Sequence, residues 1–199
     1  MNSKELFELI KCEEEPLILT KFEWFLFILV SNNTKFDKAI QAVENLRNFQ
    51  ILDLETLSCC SREKLENIIK ASGFYKSKAK VMLSLADEIL SQYSSFEGFC
   101  VDASGEWLYS QKGLGLKSAD MILLFVCEQN VMPVSSNALK ILNYLGYEFE
   151  SYFEAREWLD LGNIEISKAY YISIENFAKR HFKGRQILPS GAKILDNLK

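Results

Sequence analysis

Apolar residues recur every three or four positions along most of the chain, which is the spacing of an amphipathic helix. The stripe in residues 22–29 ends at the polar run 31–34, and residues 36–46 repeat the pattern. Because no stretch alternates apolar and polar residues with a period of two, the sequence predicts an all-α fold. Later helices are predicted to begin near Lys76 and to span residues 119–126, 136–145, 154–161 and 164–180.

Composition and charge restrict the function classes. Of 199 residues, 48% are hydrophobic and 25% are charged, as in folded globular proteins, so a disordered or fibrous chain is excluded. The net charge of −4 gives no overall attraction to nucleic acid, and any DNA site would have to be local. The most apolar run, residues 22–30, is too short to span a bilayer and contains Glu23. The sequence predicts a soluble, cytoplasmic protein without a membrane partner.

The cysteines do not have the spacing of a metal or cluster site. Their number is odd, and none of them forms a Cys-x-x-Cys pair. Structural zinc and Fe–S sites require such closely spaced ligands. We therefore expect reduced thiols and no Fe–S cluster. The five residues are Cys12, Cys59, Cys60, Cys100 and Cys127.

Residues 107–120 predict two helices joined by a tight turn. A short helix that opens near Glu106 would end at Gly113, and an almost entirely apolar helix follows. Gly113 and Gly115 permit positive φ angles and the close approach of a ligand to the backbone. Backbone N–H groups at the start of the second helix would attract a phosphate without any net positive charge. The pattern indicates a local DNA-phosphate site, although an ordinary turn between two helices can carry the same glycines.

Four segments occur in an order and spacing that match one family. They are residues 29–35, 72–79, 111–120 and 131–134, and the third is the glycine hairpin QKGLGLKSAD. Together they resemble the helix-hairpin-helix (HhH-GPD) DNA glycosylases, the endonuclease III superfamily, over residues 21–145. Within this superfamily the chain most resembles the small bacterial 3-methyladenine DNA glycosylases that lack an Fe–S cluster.

The resemblance implies a fold, an activity and a partner. The fold would be two interleaved helical subdomains, residues 21–135 and residues 1–20 plus 136–199, with a helix-hairpin-helix motif and a base pocket in the cleft between them. The activity would be that of a DNA N-glycosylase of base excision repair, which flips a damaged base, such as an alkylated purine, out of double-stranded DNA and removes it. The protein would be a nucleoid-associated monomer. A Na⁺ or K⁺ ion would bind the backbone carbonyls of Tyr109, Gln111 and Leu114.

Two positions carry the implied chemistry. Lys117 occupies the position of the Schiff-base lysine of those members that also act as AP lyases. Ser135 occupies the position of the family's catalytic aspartate, and a serine hydroxyl supplies no negative charge at neutral pH. Three explanations stay open: the serine inactivates the enzyme, Lys117 acts with a carboxylate from elsewhere, or the chain binds lesions without cleaving them.

The implied DNA contacts lie around the hairpin and in two earlier segments. Asn32 stands where many members carry a glutamine that fills the gap left by the flipped base. Lys112 replaces a common proline and is expected to contact a phosphate. The full set of implied DNA-binding positions is Asn32, Lys78, Lys112, Gly113, Leu114, Gly115, Leu116 and Ser118.

Other interpretations remain beside this one. The chain could be a non-catalytic helix-hairpin-helix protein that recognises lesions or DNA structure, or an all-α interaction protein without nucleic acid. A tryptophan-rich pocket wall, expected before the first long helix, is missing from residues 15–19, and the spacing of Trp24 and Phe25 suits a core stripe. The basic run 179–185 is either a helix end or a phosphate contact.

Overall fold

The protein is described by a computed structural model that covers residues 2–12 and 18–199. Within these residues the fold is all-α, as predicted, apart from one small two-stranded sheet. The chain divides into two compact units, residues 17–128 and residues 1–16 with 129–199. The division predicted from the sequence is 21–135 and 1–20 plus 136–199. It places both boundaries between the units a few residues later in the chain. None of the described helices is both long enough and apolar enough to cross a bilayer.

The unit formed by residues 17–128 is built around one buried helix. It contains α2 (Lys21–Ser31), α3 (Phe36–Asn48), α4 (Leu54–Ser58), α5 (Arg62–Ile68), a 3₁₀ turn (Lys70–Ser72), α6 (Tyr75–Tyr93), α7 (Phe96–Asp102), α8 (Gly105–Ser110) and α9 (Leu116–Phe125). Helix α2 packs against α3, α6 and α9, and a capping box at Thr20 begins it. Phe25 is fully buried, as its spacing predicts, whereas Trp24 is half-buried and stacks on Phe125 with ring centroids 4.4 Å apart.

The other unit is organised by a long C-terminal helix. It contains α1 (Ser3–Ile10), α10 (Ser136–Tyr144), α11 (Tyr152–Leu159), α12 (Ile164–His181), α13 (Pro189–Leu195) and a final 3₁₀ turn (Asp196–Leu198). Helix α12 packs against α1, α10 and α13. The phenol of Tyr170 is fully buried on α12, within 3.3 Å of the Ser3 hydroxyl, and burial raises the pKa of Tyr170 above its usual range. Residues far apart in sequence therefore share one core.

The basic run 179–185 does not lie wholly in a helix. Helix α12 ends at His181, and strands β1 (Phe182–Lys183) and β2 (Gln186–Ile187) form an antiparallel hairpin. Gly184 has a φ of 64° in the two-residue turn, a conformation that glycine adopts without strain. Strands of two residues are too short to show alternation, which is why the sequence did not predict them.

Candidate nucleic-acid interface and active site

The hairpin between α8 and α9 is closed by backbone geometry. The N–H of Leu114 donates to the carbonyl of Gln111 at 3.1 Å, and Leu114 is buried. Gly113 has a φ of 87°, and a Cβ at this position would lie 2.7 Å from Cγ2 of Val81 on α6. Because both the torsion angle and the close contact exclude a side chain, glycine is required at this position.

The start of α9 is open to a ligand. Gly115 is the N-cap residue and has no side chain with which to cap the first N–H groups of the helix. Among the described residues, no heavy atom lies within 4 Å of the place where a Cβ of Gly115 would be. Lys112 is exposed in the turn, and Leu116 and Lys117 are half-buried in the first turn of α9. Uncapped N–H groups beside an exposed ammonium form a surface that suits a phosphate.

A buried hydrogen bond braces the two helices of the hairpin. The hydroxyl of Tyr109 on α8 donates to a carboxylate oxygen of Asp120 on α9 at 2.6 Å, and Asp120 is fully buried. A buried carboxylate must be hydrogen-bonded to be tolerated, and this bond meets that need. This bond gives Asp120 a structural role, which is to join the two helices of the hairpin.

The end of α2 is joined to the start of α9 through Asn32. Its side-chain amide nitrogen donates to the hydroxyl of Ser118 at 2.9 Å, and Ser118 is almost fully buried. Asn32 itself is half-buried and is followed by Asn33, which has a φ of 52°. The structure thus brings together Asn32 and Ser118, two of the implied DNA-binding positions. The hydroxyl of Ser118 holds the side-chain amide of Asn32 in one orientation.

Lys78 lies in the protein interior and does not have a free ammonium for DNA. Its Nζ donates to the carbonyls of Val30 and Ser72 at 2.8 and 2.7 Å and to the hydroxyl of Thr34 at 2.5 Å. An ammonium has three N–H donors, so all three are used within the protein. Burial lowers the pKa of Lys78 to about 8. These three bonds give Lys78 a structural role, the anchoring of the α2–α3 loop to the start of α6, and leave its ammonium without an N–H for the DNA contact that the resemblance implies.

Phe74 is a residue that the sequence reasoning missed. It is 72% exposed and has a φ of 47°, although it is not a glycine. A bulky residue in the left-handed region is rare outside functional or strained positions. Ser72, two residues earlier, accepts a hydrogen bond from Thr34 at 2.6 Å, so Phe74 lies near the loop that carries Asn32. The Gly-Phe-Tyr sequence at residues 73–75 was the available signal.

Ser135 is the N-cap residue of α10. Its Oγ accepts a hydrogen bond from the N–H of Ala138 at 3.1 Å, and the residue is 5% exposed. Serine and aspartate are both favoured at this position because each can accept from the first turn. The N-cap position would therefore also suit an aspartate.

Two of the cysteine thiols are buried in surroundings that disfavour the thiolate. All five are free, and burial raises the pKa of Cys100 to about 11 and that of Cys127 to about 12. The thiolate is the reactive form, so burial keeps these two thiols inert at neutral pH. Within residues 2–12 and 18–199 no cluster of three or more metal-ligating side chains occurs.

A glycine turn that leads into a helix without a side-chain cap is compatible with the helix-hairpin-helix motif that the sequence resemblance implies. Residues 27–181 match the model of the HhH-GPD superfamily of base excision DNA repair proteins. The chain belongs to this family and is a DNA glycosylase of base excision repair, with DNA as its partner.

Individual relatives agree with this assignment. The chain is 25% identical over 171 residues to a candidate DNA repair glycosylase of Methanocaldococcus jannaschii, covering 81% of this chain and 78% of the relative. It is 27% identical over 154 residues to endonuclease III of Buchnera aphidicola, covering 72% and 70%. The structure of the H. pylori 3-methyladenine DNA glycosylase bound to 1,N6-ethenoadenine superposes with a TM-score of 0.86 and 28% identity, covering 92% of this chain and all of the other.

Proposed function

We propose that this protein removes an alkylated purine from double-stranded DNA and acts as a nucleoid-associated monomer. The observation that carries the proposal is the likeness to the H. pylori enzyme over nearly the whole chain, at 28% identity. That enzyme is named for 3-methyladenine and was solved with an ethenoadenine base. A base with extra alkyl groups pairs poorly, so it costs less to unstack than a normal base.

The hairpin is the proposed phosphate contact. The N–H groups at Gly115 and Leu116 would hold one phosphate, with Lys112 beside it and the first turn of α9, which includes Ser118, behind it. Backbone donors explain how an acidic protein can dock on DNA, because they require no net positive charge.

A Na⁺ or K⁺ ion at the carbonyls of Tyr109, Gln111 and Leu114 fits this turn. The carbonyl of Gln111 already accepts from the N–H of Leu114, but a carbonyl oxygen has a second lone pair. The ion would link the hairpin to the same DNA phosphate.

Asn32 and Phe74 are the proposed contacts with the opened duplex. Phe74 presents an exposed aromatic face, and such side chains stack on or wedge between bases. Asn32 offers amide donors and an acceptor from a fixed position against Ser118. Together they would occupy the space that a flipped nucleotide leaves.

Cleavage of the glycosidic bond leaves positive charge on the sugar, and a nearby carboxylate stabilises that transition state. Ser135 provides none, so the decisive experiment compares the wild type with Ser135→Asp. We expect the wild type to release alkylated purines from methylated duplex DNA in single-turnover assays, and Ser135→Asp to be at least as active. If only Ser135→Asp is active, the pocket is intact but lacks its charge. If neither is active while both bind lesion-containing DNA, the protein is a lesion-binding module and the proposed activity is wrong.

Lys117 is the proposed nucleophile of an additional AP lyase step. Its amine would attack C1′ and form a Schiff base, which borohydride reduces to a stable protein–DNA adduct. We expect such an adduct with the wild type and its loss in Lys117→Gln, with Lys64→Gln, an exposed change on α5, as the control. Base release without any adduct would assign purely hydrolytic chemistry and leave Lys117 without this role.

A further inference from the structure

One carboxylate oxygen among the described residues is buried and lacks a hydrogen-bond partner. Oε1 of Glu175, on α12, is inaccessible to solvent and accepts no hydrogen bond, and it is the one buried side-chain nitrogen or oxygen in this state among the residues described. The other oxygen, Oε2, accepts from the side-chain amide of Asn137 at 2.8 Å. Only one of the two carboxylate oxygens of Glu175 therefore has a hydrogen-bond donor.

Such an arrangement is unfavourable for stability. Burying a charged oxygen without a donor costs free energy, and folded proteins contain very few examples. The carboxylate of Asp120 shows the usual solution, because the hydroxyl of Tyr109 donates to it. An unsatisfied carboxylate that serves only packing would be expected to give way to an uncharged residue.

The contact with Asn137 locates this charge. Asn137 lies in the first turn of α10, two residues after the N-cap residue Ser135. Its side-chain oxygen accepts from the ammonium of Lys140 at 3.0 Å, so Asn137 links Glu175 to Lys140 and is held in one orientation. A carboxylate of α12 therefore contacts the first turn of α10, which is the turn that Ser135 caps.

We infer that Glu175 supplies, from behind the first turn of α10, the negative charge that Ser135 does not provide. The inference rests on the proposed glycosylase function and names the origin of its electrostatic stabilisation. The C1′–N bond breaks with both electrons leaving on the base, and the sugar becomes a cation. The oxygen of a water molecule then bonds to C1′, and its proton passes to the released base or to solvent.

Glu175 forms no covalent bond in this reaction. It acts through Asn137 and through its electric field, so it is a positioning residue. A charge in an environment of low polarity acts over several ångströms more strongly than it does in water.

The test measures how much more tightly the protein binds a duplex with a positively charged sugar analogue than one with a neutral analogue. It does not require that the damaged base be identified. Two duplexes are compared, one with a cationic pyrrolidine in place of the abasic sugar and one with a neutral tetrahydrofuran. We expect the wild type to bind the cationic duplex more tightly, since it resembles the transition state. Glu175→Gln should lose about tenfold or more of this preference while its affinity for the neutral duplex is unchanged. Glu165→Gln, an exposed site on the same helix, should bind both duplexes as the wild type does.

Ser135→Asp provides an independent variant that keeps the N-cap. In the Glu175→Gln background it should restore the preference for the cation, which a purely structural role of Glu175 would not allow. In the wild-type background it should add less than about twofold, because the charge is already present. A large gain there would overturn the inference even if Glu175→Gln failed to fold.

The remaining outcomes are also decisive. A wild type without cationic preference, or a Glu175→Gln variant that keeps it, would contradict the inference. A preference that depends on Glu175, in a protein that releases no alkylated purine, would support the inference and overturn the proposed substrate class.

Discussion

The hairpin and the start of α10 differ in how the chain builds them. At the hairpin, Gly113 and Gly115 shape the backbone, and the chemistry comes from N–H groups that every residue has. At α10, Ser135 only caps the helix, and the nearby charge comes from Glu175 on another helix through Asn137. A backbone site is fixed by neighbouring residues, whereas a charge site can be relocated to a different part of the chain. The first is therefore conspicuous in a sequence and the second is not.

The largest expected effect tests the backbone half of this comparison. In Gly113→Val, a β-branched residue would occupy a φ of 87° and meet Val81 at the hairpin. Loss of two amide–phosphate hydrogen bonds, each worth about 1.5–3 kcal/mol, would weaken DNA binding by about 100-fold or more. Fluorescence anisotropy with a lesion duplex measures this loss.

The control for this variant uses a glycine with the same torsion angle. Gly146 also has a φ of 87°, but no described atom lies within 4 Å of its would-be Cβ. Gly146→Val should lose some stability and keep its affinity for DNA. Equal losses of affinity in both variants would contradict a specific role of the hairpin.

The difference between the two regions also explains what the sequence could predict. Local patterns predict the helices, the glycines of the hairpin and the position of Ser135 at the N-terminus of α10. The burial of Lys78 could not be foreseen, because lysine is rarely buried and its three acceptors come from separate segments. Glu175 pairs with Asn137 across 38 residues, and no local pattern marks such a contact. The sequence therefore predicts local turns, whereas it does not predict polar contacts between residues that are far apart in the chain.

The next largest effect concerns Lys78, whose buried side chain makes three hydrogen bonds in the unit that contains the hairpin. Lys78→Met leaves three acceptors without their donor and should cost about 2 kcal/mol of unfolding free energy. Lys80→Met, an exposed change on the same helix, should cost almost nothing. Urea denaturation monitored by circular dichroism measures both. A tolerated Lys78→Met would contradict the structural role.

Lys78 also predicts a pH dependence with a definite sign. Burial lowers its pKa from 10.5 to about 8, so between pH 8 and 10.5 the unfolded chain binds more protons than the folded one. The wild type should therefore gain stability as pH rises through this window, relative to Lys78→Met. Below pH 8 the difference between the two should be constant. A difference that fell with rising pH would have the wrong sign.

A smaller effect tests the second region, the start of α10, through substitutions of Ser135. Ser135→Ala removes the acceptor for the N–H of Ala138 and should cost about 1 kcal/mol of stability, whereas Ser135→Asp should cost little. If the charge is supplied by Glu175, Ser135→Ala should also keep most of its preference for a cationic sugar analogue. Loss of that preference in a folded Ser135→Ala protein would assign the chemistry to the hydroxyl itself.

The smallest effect concerns Lys112, the exposed lysine in the turn of the hairpin. If backbone N–H groups dominate this contact, Lys112→Gln should weaken DNA binding by only a fewfold and reduce the slope of log K against log salt by about 0.9. Lys64→Gln, an exposed change on α5, should leave the slope unchanged. Because Gly113→Val removes amide contacts that do not depend on one side chain, its loss should exceed that of Lys112→Gln at every salt concentration. A larger loss in Lys112→Gln would mean that side-chain charge, and not the backbone, holds the phosphate at the hairpin.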